Sequence, residues 1–212
     1  MRKFLRQLSE LLIRGIAAIY PYNANQRMKS WCTRIYTLRA SKVIGGIGEN
    51  TVIEKPCLLQ GSGVKRLFIG DYTLINAHAV IGLWSKYGED NYEPEVRIGN
   101  HCNIGEYCHI SAINKITIGD GLLTGRFVYI GDNSHGGLSN DEAEIAPELR
   151  KLKSKGEIFI GKNVWIGDKV TILGGVSIGD NVIVGSNSVV THDIPSSSVW
   201  GGNPAKEIKC LK

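Results

Sequence analysis

The sequence predicts an all-β solenoid, and three observations carry that expectation. A branched residue followed by a small one returns every six positions, a second small inward position recurs within each hexad, and extra residues fall at one place in the circuit. From Ile160 the repeat is unbroken through Ile166, Ile172, Ile178, Val184 and Val190. The same phase appears at Ile47, Ile69, Ile98 and Ile118. A period of six matches neither the ~3.6 residues of a helix nor the alternation of a simple strand. It fits a solenoid whose side is one short strand plus a corner, with each coil burying the next.

Within a hexad, position one points its branched side chain inward. Position five is small and faces inward again: Thr51, Cys57, Thr73, Ala79, Cys102, Cys108, Val128, Val164, Val170, Val176, Val182 and Ser188. Position two is usually glycine, expected to sit where the backbone turns and to tolerate dihedrals that other residues resist. Three hexads make a triangular coil. First hexads begin at Ile47, Ile69, Ile98, Ile118, Ile160 and Ile178, about six coils in all. The extra residues follow third hexads, at 60–66, 83–95, 114–117 and 132–158. All elaboration therefore leaves one edge of the prism. Two stretches, 83–95 and 132–158, are protruding loops, and loops on a rigid scaffold commonly carry function.

The ends read differently. Residues 1–42 form an N-terminal helical segment, 43–195 the solenoid and 196–212 a C-terminal cap. Met28, Trp31, Cys32, Ile35 and Leu38 have helical 3/4 spacing and are expected to cover the first coil. An earlier helix carries Phe4, Leu8, Leu11, Leu12 and Ile19, is basic through Arg2, Lys3, Arg6 and Arg14, and should end at Pro21. It is a cap or packing helix, or alternatively a membrane-surface helix. A formal charge of +5 without a long basic run elsewhere gives nucleic-acid binding little support. The apolar stretch at 11–20 contains Arg14, lacks a cleavage site and is too short to span a bilayer. Five cysteines with no CxxC pair point to reduced thiols in a cytoplasmic setting.

With the hexads placed, residues 98–209 resemble the hexapeptide-repeat acetyltransferases, in particular the branch acting on sugars and polysaccharides. The resemblance is carried by Ile160-Gly161-Lys162-Asn163-Val164-Trp165-Ile166-Gly167, by the stretch from Ile183 to Pro195, by Gly202-Asn203-Pro204-Ala205-Lys206, and by the loop Asp132-Asn133-Ser134-His135-Gly136. It implies a left-handed parallel β-helix, a homotrimer, and acetyl-CoA in a groove between subunits, with a loop histidine as base and no metal. By the same resemblance the cofactor contacts fall on Trp165, Asp168, Gly185, Ser186, Thr191, His192 and Lys206. Two positions depart from the family pattern: His192 stands where lysine is common, and Gly174 where proline is common.

Acyl transfer from a thioester to a hydroxyl needs a base for the hydroxyl proton, an effect of about 10²–10⁴-fold. An imidazole, mostly neutral at pH 7, suits that task. His135, on a polar glycine-rich loop, is the candidate base, with Asn133 beside it. Acceptor contacts are expected from Trp84, Tyr87 and Tyr92 on the first loop, and from His109, Asn114 and Asp132. Cys57, Cys102 and Cys108 point inward and are structural. The expected activity is O-acetylation of a sugar or polysaccharide precursor. Amino-sugar N-acetylation and antibiotic O-acetylation stand as alternatives. From other classes come a carbonic-anhydrase-like metal site using His78, His101 and His109, and a non-catalytic solenoid.

Overall fold

Branched residues at position one and small residues at position five leave only a short extended segment between bends, and strands of two to five residues form there. The structure is a computed structural model and describes residues 2–19, 22–137 and 140–210. The strands stack into three parallel sheets, the faces of a prism. The first face runs through Gly46–Ile47, Leu67–Ile69, Glu95–Ile98, Lys115–Ile118, Ile158–Ile160 and Ser177–Ile178. The second takes Val52–Ile53, Leu74–Ile75, Asn103–Ile104, Leu123–Thr124, Trp165–Ile166 and Ile183–Val184. The third takes Leu58–Gln60, Val80–Leu83, His109–Ala112, Tyr129–Gly131, Thr171–Leu173 and Val189–Val190. The chain visits the faces in that order and moves up one strand at each return. Ser198–Gly201 then extends the second face, and Lys206–Cys210 pairs antiparallel to it.

Register follows the hexads. On the first face Ile47 pairs with Ile69, Ile69 with Ile98, Ile98 with Ile118, Ile118 with Ile160 and Ile160 with Ile178. These isoleucines and their counterparts at position one fill the core, and every small residue expected at position five is buried with them. Deleting one such branched side chain to alanine typically costs about 2–5 kcal/mol.

The glycines at position two have a different cause from the one expected. Left-handed backbone occurs instead two residues later, at Tyr72 (φ 53°), His78 (φ 64°), His101 (φ 54°), Tyr107 (φ 59°) and Phe127 (φ 58°). On the first face position two is always glycine, because coils touch there. A Cβ on Gly99 would lie 2.7 Å from the backbone carbonyl carbon of Gly119, and one on Gly161 would lie 2.7 Å from that of Gly179. The polar residue after several of these glycines ties coils together. Asp71 Oδ1 accepts the Glu49 N–H at 2.7 Å, Asn100 Oδ1 that of Asp71 at 2.8 Å, and Asp120 Oδ1 that of Asn100 at 2.9 Å. Asp180 and Ser196 repeat the pattern for Lys162 and Asp180.

Two helices precede the prism, α1 (Arg2–Ile19) and α2 (Tyr22–Ala40). The expected break at Pro21 lies outside the described residues. α2 does cover the first coil, but not with the expected face. Met28, Trp31, Ile35 and Leu38 are exposed, as is Cys32. The docking face is Thr33, Tyr36, Thr37 and Ala40. The Tyr36 hydroxyl donates to the Cys57 carbonyl. Thr37 Oγ1 accepts the Ile53 N–H at 3.0 Å and lies 3.3 Å from the Ile53 carbonyl. The reason is chemical: the edge of the first coil presents unpaired backbone groups, which require hydrogen-bonding partners more than apolar cover. In α1, Leu5, Leu8, Leu12 and Ile16 are all exposed. Among the described residues no helix is long and apolar enough to cross a membrane.

The glycine contacts give a stability prediction. Gly99→Ala should lower unfolding stability by about 1–3 kcal/mol, the usual cost of overpacking. Gly15→Ala, where nothing lies within 4 Å of the added Cβ, should leave solenoid melting unchanged. Urea denaturation of the two variants checks both.

Candidate active site

Both large loops leave the third face. Val80–Leu83 and Tyr129–Gly131 flank His109–Ala112 in register, Ile81 with Ile110 and Ile110 with Ile130. The exits are two strand spacings apart, about 10 Å. The loops also brace each other. The Tyr87 hydroxyl donates to the Glu148 carbonyl at 2.5 Å and that of Tyr92 to the Leu152 carbonyl at 3.0 Å, while Lys151 Nζ lies 2.6 Å from Asp90 Oδ1.

His135 ends a short antiparallel ribbon, Asn133–His135 against Leu152–Ser154, and is exposed. Its ring and that of Tyr87 meet in a T-shaped arrangement, with centroids 5.3 Å apart. It borders two cavities. One, of about 270 Å³, has an aromatic wall made by Trp84, Tyr87, His109 and Tyr129, with Gln60, Ser111 and Asn133 supplying polar groups. The other, of about 520 Å³, is lined by the backbone turn at 131–137, by Arg150, Lys153 and Lys155, and by Leu173 and Gly174 of the next coil. An exposed imidazole between an aromatic recess and a cationic one can accept a proton from a group held in either.

The other expected residues fall in different places. Asn133 sits beside both cavities, but its Nδ2 is turned to the Ser111 carbonyl and hydroxyl, each at 3.0 Å. Asp132 is 1% exposed, and its two oxygens accept the backbone N–H groups of Ile113 and Asn114 at 2.9 Å. Burial holds its carboxyl above the ordinary range, opposed by those hydrogen bonds. It anchors the loop to the coil below instead of reaching an acceptor. Asn114 lines neither cavity, and Tyr92 braces the loops from outside the aromatic wall. Tyr129, Ser111 and the basic run at 150–155 were not anticipated. The last is visible in the sequence as alternating cations on the return of the second loop.

Residues expected at the cofactor divide between surfaces. Trp165 projects from the second face and is 52% exposed, with Lys206 on the closing strand of the same sheet. Gly185, Asp168 and Ser186 lie at the corner between second and third faces. There Asp168 Oδ1 accepts the Arg126 N–H at 2.8 Å and Ser186 Oγ accepts the Asp168 N–H at 3.1 Å, so both also serve coil stacking. Thr191 and His192 lie beyond the third face and hydrogen-bond each other at 2.8 Å.

The three histidines of the metal alternative do not converge. His101 stacks on Tyr72, His78 on Tyr107, and His109 meets Tyr129 edge-on. Cys57, Cys102 and Cys108 are buried, and burial pushes the Cys57 thiol up to about 12.

Residues 157–192 match the bacterial transferase hexapeptide (six repeats) family. That segment carries the family's repeat. The chain is similar to WbbJ of Escherichia coli (strain K12), provisionally named a lipopolysaccharide biosynthesis O-acetyl transferase, with 40% identity over 114 residues, 52% of this chain and 58% of that protein. A probable macrolide acetyltransferase of Lysinibacillus sphaericus is 35% identical over 127 residues, 57% of this chain and 66% of that one. The chain thus spans less than two thirds of the length of these relatives. Among solved structures, a hexapeptide-repeat acetyltransferase of Vibrio cholerae complexed with acetyl coenzyme A superposes with a TM-score of 0.55 at 26% identity, covering 84% of this chain and 76% of that one. The N-acyltransferase AntD of Bacillus cereus, at 22% identity and a TM-score of 0.65, shares the fold.

His109 gives this site a pH signature. Burial lowers its pKa, because desolvation disfavours the imidazolium. The unfolded chain therefore takes up this proton first, near pH ~6.5. The neutral imidazole's contribution is complete above that pH and is lost as pH falls toward the lowered folded value. Urea midpoints measured across this range should fall less steeply for His109→Gln than for the parent chain.

Proposed function

We propose that this chain is an acetyl-CoA-dependent O-acetyltransferase acting on a hydroxyl of a sugar or polysaccharide precursor, with His135 as general base. The observation that carries the reading is the position of His135: exposed, at the tip of a braced ribbon, between an aromatic recess and a second cavity. The aromatic walls of Trp84, Tyr87 and Tyr129 suit the apolar face of a sugar ring. In the reaction the acceptor oxygen attacks the thioester carbonyl carbon while the His135 imidazole takes its proton. The carbon–sulfur bond then breaks, and the imidazolium returns the proton to the departing thiolate. The products are an acetyl ester and free CoA, and no acyl-enzyme forms. Asp132 and Asn133 act as positioning residues that hold the ribbon on the coil beneath.

We read the solenoid as left-handed, with about six coils, and as a homotrimer; a closed three-fold ring completes the site. Two observations support the trimer. The expected cofactor contacts are split between the second face and the borders of the third, so a neighbouring copy must bring them together. The outward positions of the second face also form a stripe in register: Val52, Leu74, Asn103, Leu123, Trp165, Ile183 and Val199, apolar at all but one. α1, basic on one side and apolar on the other, fits the surface of an anionic membrane on the cytoplasmic side.

His135→Ala should lower kcat by about 10²–10⁴-fold with little change in the acetyl-CoA KM. Free-thiol release against a sugar panel measures it, and turnover within threefold of the parent removes His135 from the mechanism. Sedimentation should give about three chain masses for the parent. Leu123→Glu, in the apolar stripe and outside both cavities, should shift the population to monomer and abolish transfer. An active monomer overturns the shared site.

A further inference from the structure

The cationic cavity has a charge balance that base catalysis does not require. The second loop returns to the prism through Arg150, Lys151, Lys153 and Lys155. Two of these are neutralised: Lys151 lies 2.6 Å from Asp90 and Lys153 2.6 Å from Glu142. Arg150 and Lys155 have no carboxylate partner among the described residues, and both line the cavity beside His135. The carboxylate within that lining, Asp132, is buried and turned to backbone N–H groups.

Arg150 is fixed in place. Its Nε donates to the Ile145 carbonyl at 2.8 Å, and its aliphatic stem lies over Gly136, where an added Cβ would come within 2.8 Å of Cδ. Gly136, at φ 72°, directly follows His135. The stem of Arg150 is thus packed against the turn that carries the base. Planar, always charged and a donor from several N–H groups, its guanidinium is suited to phosphate oxygens, and Lys155 adds a second charge.

We infer that Arg150 and Lys155 form an anion subsite for a phosphate or diphosphate borne by the acceptor, so that the substrate is a glycosyl phosphate rather than a neutral saccharide. The inference rests on the reading of His135 as the base and deepens it. The phosphates of CoA do not fit this role. With the acetyl carbonyl at His135, the length of an extended pantetheine arm separates those phosphates from the turn that carries the imidazole.

The test uses the full chain and a readout independent of turnover. Inorganic pyrophosphate is titrated calorimetrically into the CoA-saturated protein, for the parent, His135→Ala, Arg150→Gln/Lys155→Gln and Arg150→Lys. Binding should persist in His135→Ala, weaken at least tenfold in the double variant, and be partly retained in Arg150→Lys. Pyrophosphate excluded by CoA, or binding unchanged in the double variant, overturns the subsite. If His135→Ala keeps turnover but the double variant loses pyrophosphate binding, the base assignment fails and the subsite stands. A transfer assay then compares glucose, glucose 1-phosphate, UDP-glucose and a polyprenyl-diphosphate-linked glucose. A kcat/KM at least tenfold higher for a phosphorylated acceptor, lost in the double variant, supports the inference and distinguishes free, nucleotide-linked and lipid-linked sources. Equal use of glucose overturns it.

Discussion

Successive coils must lie one strand spacing apart, about 4.8 Å, and nearly every other feature depends on that contact. On the first face it forbids a Cβ at position two, where the backbone of one coil rests on the next. It lets a side-chain oxygen at position three accept an N–H from the coil below, as from Asp71 through Asn100 to Asp120. It turns position four into a left-handed corner, and it stacks positions one and five into continuous inward ladders. Rings left pointing outward at the corners then stack as well, His78 on Tyr107 and Tyr107 on Phe127, with centroids 4.6 and 4.9 Å apart. The same regularity fixes where insertions can leave without disturbing the core.

Much of this was legible because periodicity reports burial directly. Position one and position five residues, and the single edge from which the loops leave, follow from counting in sixes. The role of the glycines was not legible, since repetition marks a glycine without saying whether dihedral freedom or close approach requires it. The docking face of α2 was misread for a related reason. A search for apolar spacing finds Met28, Trp31, Ile35 and Leu38, whereas the open edge of a parallel coil needs hydroxyls such as those of Tyr36 and Thr37.

In the site, legibility stopped where the repeat stopped. His135, Trp84 and Tyr87 meet at one cavity as their loop positions suggested, because the register of the third face brings the loops together. Asp132 could not be distinguished from a solvent-facing neighbour by sequence alone, although its carboxylate is bound entirely within the fold. Asp168 and Ser186 have a stacking function sufficient to explain their residue types, whatever they do for a ligand. Arg150 and Lys155 lie within a loop that has no period, and only the fold-back of the ribbon places Arg150 against Gly136 and Lys155 in the same cavity lining.

The cross-bracing of the two loops has a consequence for how such a solenoid can diversify. Tyr87, Tyr92 and Asp90 of the first loop are fastened to Glu148, Leu152 and Lys151 of the second. The aromatic recess and the histidine ribbon are therefore one mechanical part resting on an indifferent column. Changes in the ligand taken at this site would be inherited as a matched pair of inserts, exchanged together between solenoids. A loop transplanted alone would arrive without the struts that aim it.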